Sequence, residues 1–416
     1  MNKVGTQGIG SAAMIFARLF AIFCRLAYYV FTGEDLWIFT YADDLDVVTM
    51  GPRMIDNTVL LLLLLATLRV PFSWKKCEGG LCYSWLGLFQ NWKSFQLGLS
   101  ETRALWIARW CEQRLDADRV RPKELVEVLG RFSFATAAVD FIKPFLGPLY
   151  AWSSAAPEHA NLRLPIMLRL IFRFLIRVFR DPSLYMIEVY QPAATPVMAY
   201  LGDAHASMDS VGIGGYQADK PQMEAAWFSL DLDSKSAPWA FQHGEETFRA
   251  IAALELFTTL LCVKLLPTPE RKVNVRIQIS VGTDNKGNSY ALKRWATTKH
   301  PLGIILMELA VECRLRNISL DLLWVPRLQN CQADALSNGI THGFDPKHRI
   351  EPDLTEIKFH VLNDMMTAAQ ELYLDVDSRK KVRAKAELVS GPVSDAAKAK
   401  RSKTDRLRVK DIWDPK

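Results

Sequence analysis

Between residues 196 and 342, short apolar runs of strand length alternate with longer runs of helical period. The strand-like runs are Val197 to Leu201, Val211 to Tyr216, Ala225 to Leu230, Val273 to Val281 and Ile318 to Trp324. The helical ones are Glu245 to Leu266, Asn285 to Trp295, Pro301 to Arg316 and Asn330 to Ser337. Short links join the first three strands, which predicts an antiparallel meander. The later strands arrive through helices, which predicts parallel neighbours. The expected fold of 191–342 is a mixed five-stranded α/β sheet with flanking helices.

Upstream the pattern differs. A helix over about 11–31 leads through Gly33-Glu34-Asp35 into two short strands, Leu36 to Thr40 and Leu45 to Thr49, a hairpin with acidic residues at its tip. A leucine-rich helix follows. The apolar stretch 10–32 contains Arg18 and Arg25, and the run Val59 to Leu68 is shorter than the ~20 residues of a membrane span. Both are expected to be buried core helices, with no membrane partner and no signal peptide. Residues 93–190 read as helical. Between Leu162 and Arg180, residues Arg169, Arg173, Arg177 and Arg180 share one helical stripe. Such a stripe fits a solvated face as well as one that follows phosphates. After about 345 the pattern fades, and residues 379–410 are rich in Lys, Arg, Ala and Ser, so a flexible basic tail is expected over 343–416.

Composition narrows the classes only a little. The 416 residues are 50% hydrophobic and 23% charged, which is globular and leaves room for two or three domains. A net charge of +6 permits a polyanionic partner. The seven cysteines lack metal-ligand spacing and suggest a reducing, intracellular compartment.

Four acids carry the candidate chemistry. Asp203 follows the first strand, Glu255 sits inside an apolar helix, Asp284 ends a strand, and Asp334 lies one turn into a short helix. Each has a plain alternative: a turn residue, a solvated helix face, an N-cap and a first-turn acid. A charge amid the apolar run around Glu255 is nonetheless costly unless it faces a ligand or solvent. Carboxylates from separate elements that meet at one sheet edge suit magnesium or manganese and two-metal phosphodiester cleavage, with ions about 3.5–4 Å apart.

These residues carry a resemblance. Asp203-Ala204-x-x-Ser207, Thr283-Asp284-Asn285 and Trp324-Val325-Pro326…Asn330-x-x-Ala333-Asp334-Ala335-Leu336-Ser337 resemble the ribonuclease H domain of retroelement reverse transcriptases. The resemblance implies that Asp203, Glu255, Asp284 and Asp334 bind two Mg²⁺ or Mn²⁺ ions and cleave RNA in an RNA–DNA hybrid. It also implies that Ser207 and Asn285 lie near the surface that reads RNA 2′-hydroxyls. Proofreading exonucleases of a related fold place Tyr or His four residues before the last Asp, where this chain has Asn330.

A second set of motifs extends the likeness. Tyr41-Ala42-Asp43-Asp44 resembles the reverse-transcriptase catalytic hairpin, and the segment from Lys3 to Ala12 resembles the template-contacting motif. Phe72-Ser73-Trp74-Lys75-Lys76 and Trp85-Leu86-Gly87-Leu88 resemble the following palm motifs. Leu129-Gly130-Arg131-Phe132 and the run Pro144 to Trp152 look like thumb and connection. The overall likeness is to the reverse transcriptase–ribonuclease H of tyrosine-recombinase-type retrotransposons. It implies a partial palm over 1–92, a thumb and connection over 93–190, a ribonuclease H-like domain over 191–342, and metal ligation by Asp43 and Asp44. Lys75, Arg169, Arg173 and Arg177 would touch DNA or RNA. The further palm Asp of that family lies upstream of the Gly-rich motif and has no counterpart here, so residues 1–92 are not expected to polymerise DNA alone. The rival expectation is a catalytically dead nucleic-acid-binding remnant, and a third is a DNA-directed nuclease of the same fold. No small-molecule cofactor is expected, the oligomeric state is open, and the compartment implied is nucleus or cytoplasm.

Overall fold

A computed structural model describes residues 12–189, 197–207, 210–241, 246–268, 276–297 and 299–390. The Gly-rich motif at 3–11 and the basic segment beyond 390 lie outside the described residues. The chain divides into two compact units, Met1–Lys93 and Ser94–Lys416.

In the first unit, helix α1 (Ala12–Val30) is followed by strands β1 (Leu36–Tyr41) and β2 (Asp44–Thr49), then α2 (Met54–Thr67) and the hairpin β3 (Cys82–Trp85) and β4 (Leu88–Asn91). β1 and β2 pair antiparallel from Leu36↔Thr49 to Tyr41↔Asp44. A small core forms where Ala27 and Phe31 meet Leu36, Leu61 and Leu65. The expectation of two buried core helices needs correction. Only Ala27 of α1 is buried, while Ile15, Leu19, Ile22 and Tyr29 are exposed; α2 buries only Asn57, Leu61 and Leu65. One thin hairpin offers a single surface to pack on, so each helix buries one face. By length and composition Ala13–Val30 also meets the requirement for a membrane span, although Arg18 and Arg25 interrupt it.

The second unit opens with β5 (Gln96–Leu99) and the helices α3 (Glu101–Ala117), α4 (Pro122–Ala135), α5 (Leu146–Ala155), α6 (Ile166–Arg180) and α7 (Pro182–Tyr185). Short strands β6 (Arg119–Val120) and β7 (Leu162–Arg163) pair with each other, and β8 (Met186–Glu188) pairs with β5. The apolar face of α6 presents Met167, Leu168, Ile171, Phe172, Leu175, Val178 and Phe179 to the interior, and Phe172 meets Trp110 of α3 edge to face.

The sheet comprises β9 (Val197–Ala206), β10 (Val211–Gln217), β11 (Trp227–Asp231), β12 (Ile277–Thr283) and β13 (Ile318–Trp324), in the order β11-β10-β9-β12-β13. β9, β10 and β11 form an antiparallel meander, while β12 runs parallel to both β9 and β13. The mixed five-stranded sheet expected from the periodicity is therefore present. α8 (Ile251–Leu265) is buried along almost its whole length between the sheet and α10 (Leu302–Leu315). α9 (Lys286–Arg294) and α11 (Cys331–Ser337) follow β12 and β13.

The expectation of a flexible tail from 343 also needs correction. Phe344 packs with Tyr216 and Trp227, and the Trp227 indole donates to the Asp345 carbonyl at 2.9 Å. α12 (Leu362–Ser390) then lies against α5, α6 and α10. Leu362, Met365, Met366, Ala369, Leu372 and Val376 are buried on one face, at the spacing of a helix. Its start is held by a buried carboxylate: Glu308 of α10 accepts from the backbone N–H groups of His360 (2.8 Å), Val361 (2.7 Å) and Leu362 (3.0 Å). Those donors would otherwise be orphaned at a helix N-terminus. Replacing Glu308 with Ala is expected to lower the unfolding free energy by about 2 kcal/mol, as for a lost charged cap. Denaturant unfolding measures it, and an unchanged midpoint would contradict the assigned role.

Candidate metal and catalytic centre

Two strand registers and two helices bring the acids together. The parallel register pairs Gly282 with Leu201, so two residues further on Asp284, just past the end of β12, arrives beside Asp203. Asp203 lies inside β9 rather than after it as the sequence suggested, because the pairing with β10 carries the strand on to Ala206. Glu255 comes from α8 on one side, and Asp334 from α11 on the other. Carboxylate oxygens of Asp203, Glu255 and Asp284 all lie within 4.8 Å of one another. Asp334 lines the same open cleft of about 650 Å³, with His205, Ile251, Arg327, Asn338 and Ile340.

The glycines of β10 make this approach possible. Asp203 stands opposite Gly214 and His205 opposite Gly212, so these four positions share one sheet face. A Cβ on Gly214 would come within 2.5 Å of the Leu336 and Ser337 backbone, and one on Gly212 would strike the Ser337 carbonyl. α11 therefore rests directly on the strand backbone, close enough for Asp334 to enter the cleft. Ser229 fixes it by donating to the Leu336 carbonyl at 2.6 Å, and Tyr216 by donating to Gln332 at 2.6 Å.

Electrostatics mark the cleft as a cation site. Burial, followed by the nearby Asp284 charge, pushes the Asp203 carboxyl up to about 7. The same two causes push Glu255 up to about 8, with Asn285 opposing the shift through a hydrogen bond. The counter-charge the chain supplies at the rim is Arg327, 3.1 Å from Asp334 and largely exposed. Hard oxygen donors that repel one another in a desolvated cleft fit a divalent ion such as Mg²⁺ or Mn²⁺. Asp203, Glu255, Asp284 and Asp334 are the residues that would hold it.

The other sequence-derived candidates are placed as follows. The Ser207 hydroxyl is engaged with Ser210, and the Ser207 carbonyl accepts from Thr247 at 2.8 Å. Asn285 caps α9, its side chain accepting from the Asn288 N–H at 3.2 Å. In the helical stripe, Arg169 pairs with Asp118 and Arg180 forms a bidentate pair with Glu112. Arg173 and Arg177 are exposed and make no ion pair among the described residues. In the first unit, Asp43 and Asp44 sit exposed at the hairpin turn and belong to no group of three or more potential metal ligands among the described residues. Lys75 is exposed nearby in sequence, in a single 3₁₀ turn. Asp46, unremarked in the sequence, is buried and accepts from the Tyr83 hydroxyl at 2.7 Å.

A second acidic group, Glu308, Glu312 and His360, also converges. Its carboxylates already have partners. Glu308 holds the three α12 amides, and Glu312 accepts from Lys264 (2.8 Å) and Arg316 (2.6 Å), which hold it below the usual carboxylate range against the opposing effect of burial. This group is a structural node.

No protein-family model and no curated protein matches the chain. Among solved structures, it is similar to a foamy viral protease-reverse transcriptase in complex with RNA/DNA hybrid, at 15% identity and a TM-score of 0.35. The match covers 76% of this chain and 38% of that one. So remote a likeness leaves the site to be argued from its own geometry.

Three outcomes follow from the site. Burial and the neighbouring charge favour the protonated forms of both carboxyls toward acid pH, and an ion must displace those protons. Mn²⁺ affinity, followed by calorimetry, is therefore expected to rise from pH 6 to about 8 and then level off; a flat profile would contradict the coupled carboxyls. Because both folded values lie above the unfolded ones, these two carboxyls hold more protons folded than unfolded between about pH 4 and 8 in the metal-free protein. Its stability should fall as pH rises through that window, and saturating Mn²⁺ should remove the fall. Separately, Gly214→Ala should displace α11 and weaken Mn²⁺ binding by about tenfold or more, within the range for loss of a ligand-orienting contact.

Proposed function

We propose that the second unit is a ribonuclease H that cleaves the RNA strand of RNA–DNA hybrids, as part of a retroelement reverse transcriptase. The observation that carries this reading is the convergence of Asp203, Glu255, Asp284 and Asp334 on one cleft at the strand ends of a mixed five-stranded sheet. Their order along the chain is the one that the motif resemblance requires.

In this reading the four carboxylates hold two divalent ions, Mg²⁺ or Mn²⁺. Ions bound there supply an activated water for attack on the phosphorus and a counter-charge for the departing 3′ oxygen. The chain's own part is positional. The strands fix Asp203 and Asp284, buried α8 presents Glu255 from beneath, and the glycine-seated α11 closes the set with Asp334. Arg173 and Arg177 on α6 are free to meet phosphates. Lys75, Ser207 and Asn285 are further proposed contacts to nucleic acid. Asp43 and Asp44 are proposed metal ligands of a reverse-transcriptase-like hairpin. A site of action in the nucleus or cytoplasm is proposed with this reading.

The test uses the full chain with end-labelled RNA–DNA hybrid and Mg²⁺, beside duplex DNA, duplex RNA and a chelator control. RNA cleavage only in the hybrid is expected. Asp284→Asn should reduce the rate by more than about a hundredfold, the upper end for groups that merely orient a ligand. Retention of hybrid without cleavage, in Mg²⁺ and Mn²⁺ alike, would favour a binding-only remnant. Equal cutting of duplex DNA would favour a DNA-directed nuclease.

A further inference from the structure

His205 is the cleft residue that the acids leave unexplained. It lies two positions after Asp203 on β9, so the two side chains project from the same face, about 7 Å apart along the strand at ~3.4 Å per residue. The cross-strand partner of His205 is Gly212, which offers no side chain, and the imidazole lines the cleft half-buried. Around it are Ile251 at the start of α8, and Asn338 and Ile340 beyond α11. Among the described residues it makes no hydrogen bond or ion pair, although neighbouring polar groups are engaged: Asn338 donates to the Asp334 carbonyl at 2.7 Å, and Ser207 is tied to Ser210.

An unpartnered imidazole beside a carboxylate cluster suits a neutral polar group of the substrate. A phosphate at that point would add anionic charge to the cleft away from the ions. A ribose 2′-hydroxyl adds none, and it both donates and accepts, so it can answer whichever form of ring nitrogen faces the cleft. The ~7 Å offset is about two axial rises of a nucleic-acid strand, which places the contact within one or two nucleotides of the cut. Resting on the ribonuclease H reading, we infer that His205 is a specificity-determining residue that contacts the 2′-hydroxyl of a ribonucleotide next to the scissile phosphate.

The experiment pairs a protein change with a substrate change. The full chain first maps its cut in a defined hybrid. Hybrids carrying a single 2′-deoxynucleotide at each of the two positions on either side of the cut are then compared in single-turnover reactions, with the unaltered protein and with His205→Ala. The unaltered protein should lose about three- to tenfold at one of these positions, the worth of one hydrogen bond. His205→Ala should lose a similar factor on the all-ribose strand and show no further loss at that position. His205→Gln, which keeps a donor and an acceptor, should restore part of the sensitivity. Mn²⁺ binding by His205→Ala should match the unaltered protein, which separates this role from support of the ions. Additive losses, or full sensitivity in His205→Ala, would overturn the contact while leaving the nuclease reading intact. Absence of cleavage by the unaltered, folded chain would overturn the nuclease reading, and this contact with it.

Discussion

Mutual repulsion among buried carboxylates is the constraint on which the rest of the second unit depends. Oxygens of three acids are held within 4.8 Å of one another in a partly desolvated cleft, and burial already disfavours the charged forms of Asp203 and Glu255. Such an arrangement persists only where the scaffold is too well packed to let the acids part. The sheet supplies that rigidity through paired parallel strands. α8 supplies it through an apolar helix enclosed on nearly all sides. The repulsion that the fold tolerates is what a divalent cation in the cleft would relieve.

The supporting layers extend beyond the sheet. α10 covers α8 and carries two buried carboxylates, Glu308 and Glu312. Glu308 anchors the start of α12, and Glu312 gathers Lys264, Arg316 and His360. α12 in turn lies on α5 and α6, so the helical segment and the sheet belong to one compact unit. A polar node of this kind is costly when half satisfied and specifying when complete. Here each carboxylate oxygen of Glu308 and Glu312 has a donor within the chain, so the acidic group is satisfied by the helical layer itself.

Much of the sheet was legible in the sequence because its signals are local. The strand alternation, the glycines of Val211 to Tyr216 and the placing of Asp284 just after a strand and Asp334 one turn into a helix all follow from short windows, whereas the extension of β9 past Asp203 does not. β13 falls where Ile318 to Trp324 placed it. The seat of α11 needed more, since only the structure shows that Gly212 and Gly214 face the backbone of Leu336 and Ser337. α12 escapes the sequence for a different reason. Its apolar stripe, Leu362 to Val376, has a true helical period, but it runs into a segment from 379 rich in Lys, Arg, Ala and Ser that reads as a solvated tail. The Glu308 cap links residues more than 50 apart and has no local signature. The helices of the first unit failed in the opposite direction. Their composition reads as core, yet one hairpin has too little surface to bury them. His205 was passed over because a lone histidine in a strand carries no signal until its cross-strand neighbour is known to be glycine.

The most direct test of the central claim is to locate bound Mn²⁺ by anomalous diffraction from crystals of the full chain. The account predicts manganese between Asp203, Glu255, Asp284 and Asp334, and none at Glu308, Glu312 and His360. A folded chain with that cleft free of manganese at saturating concentration, or with the ion at the second acidic group instead, would contradict it.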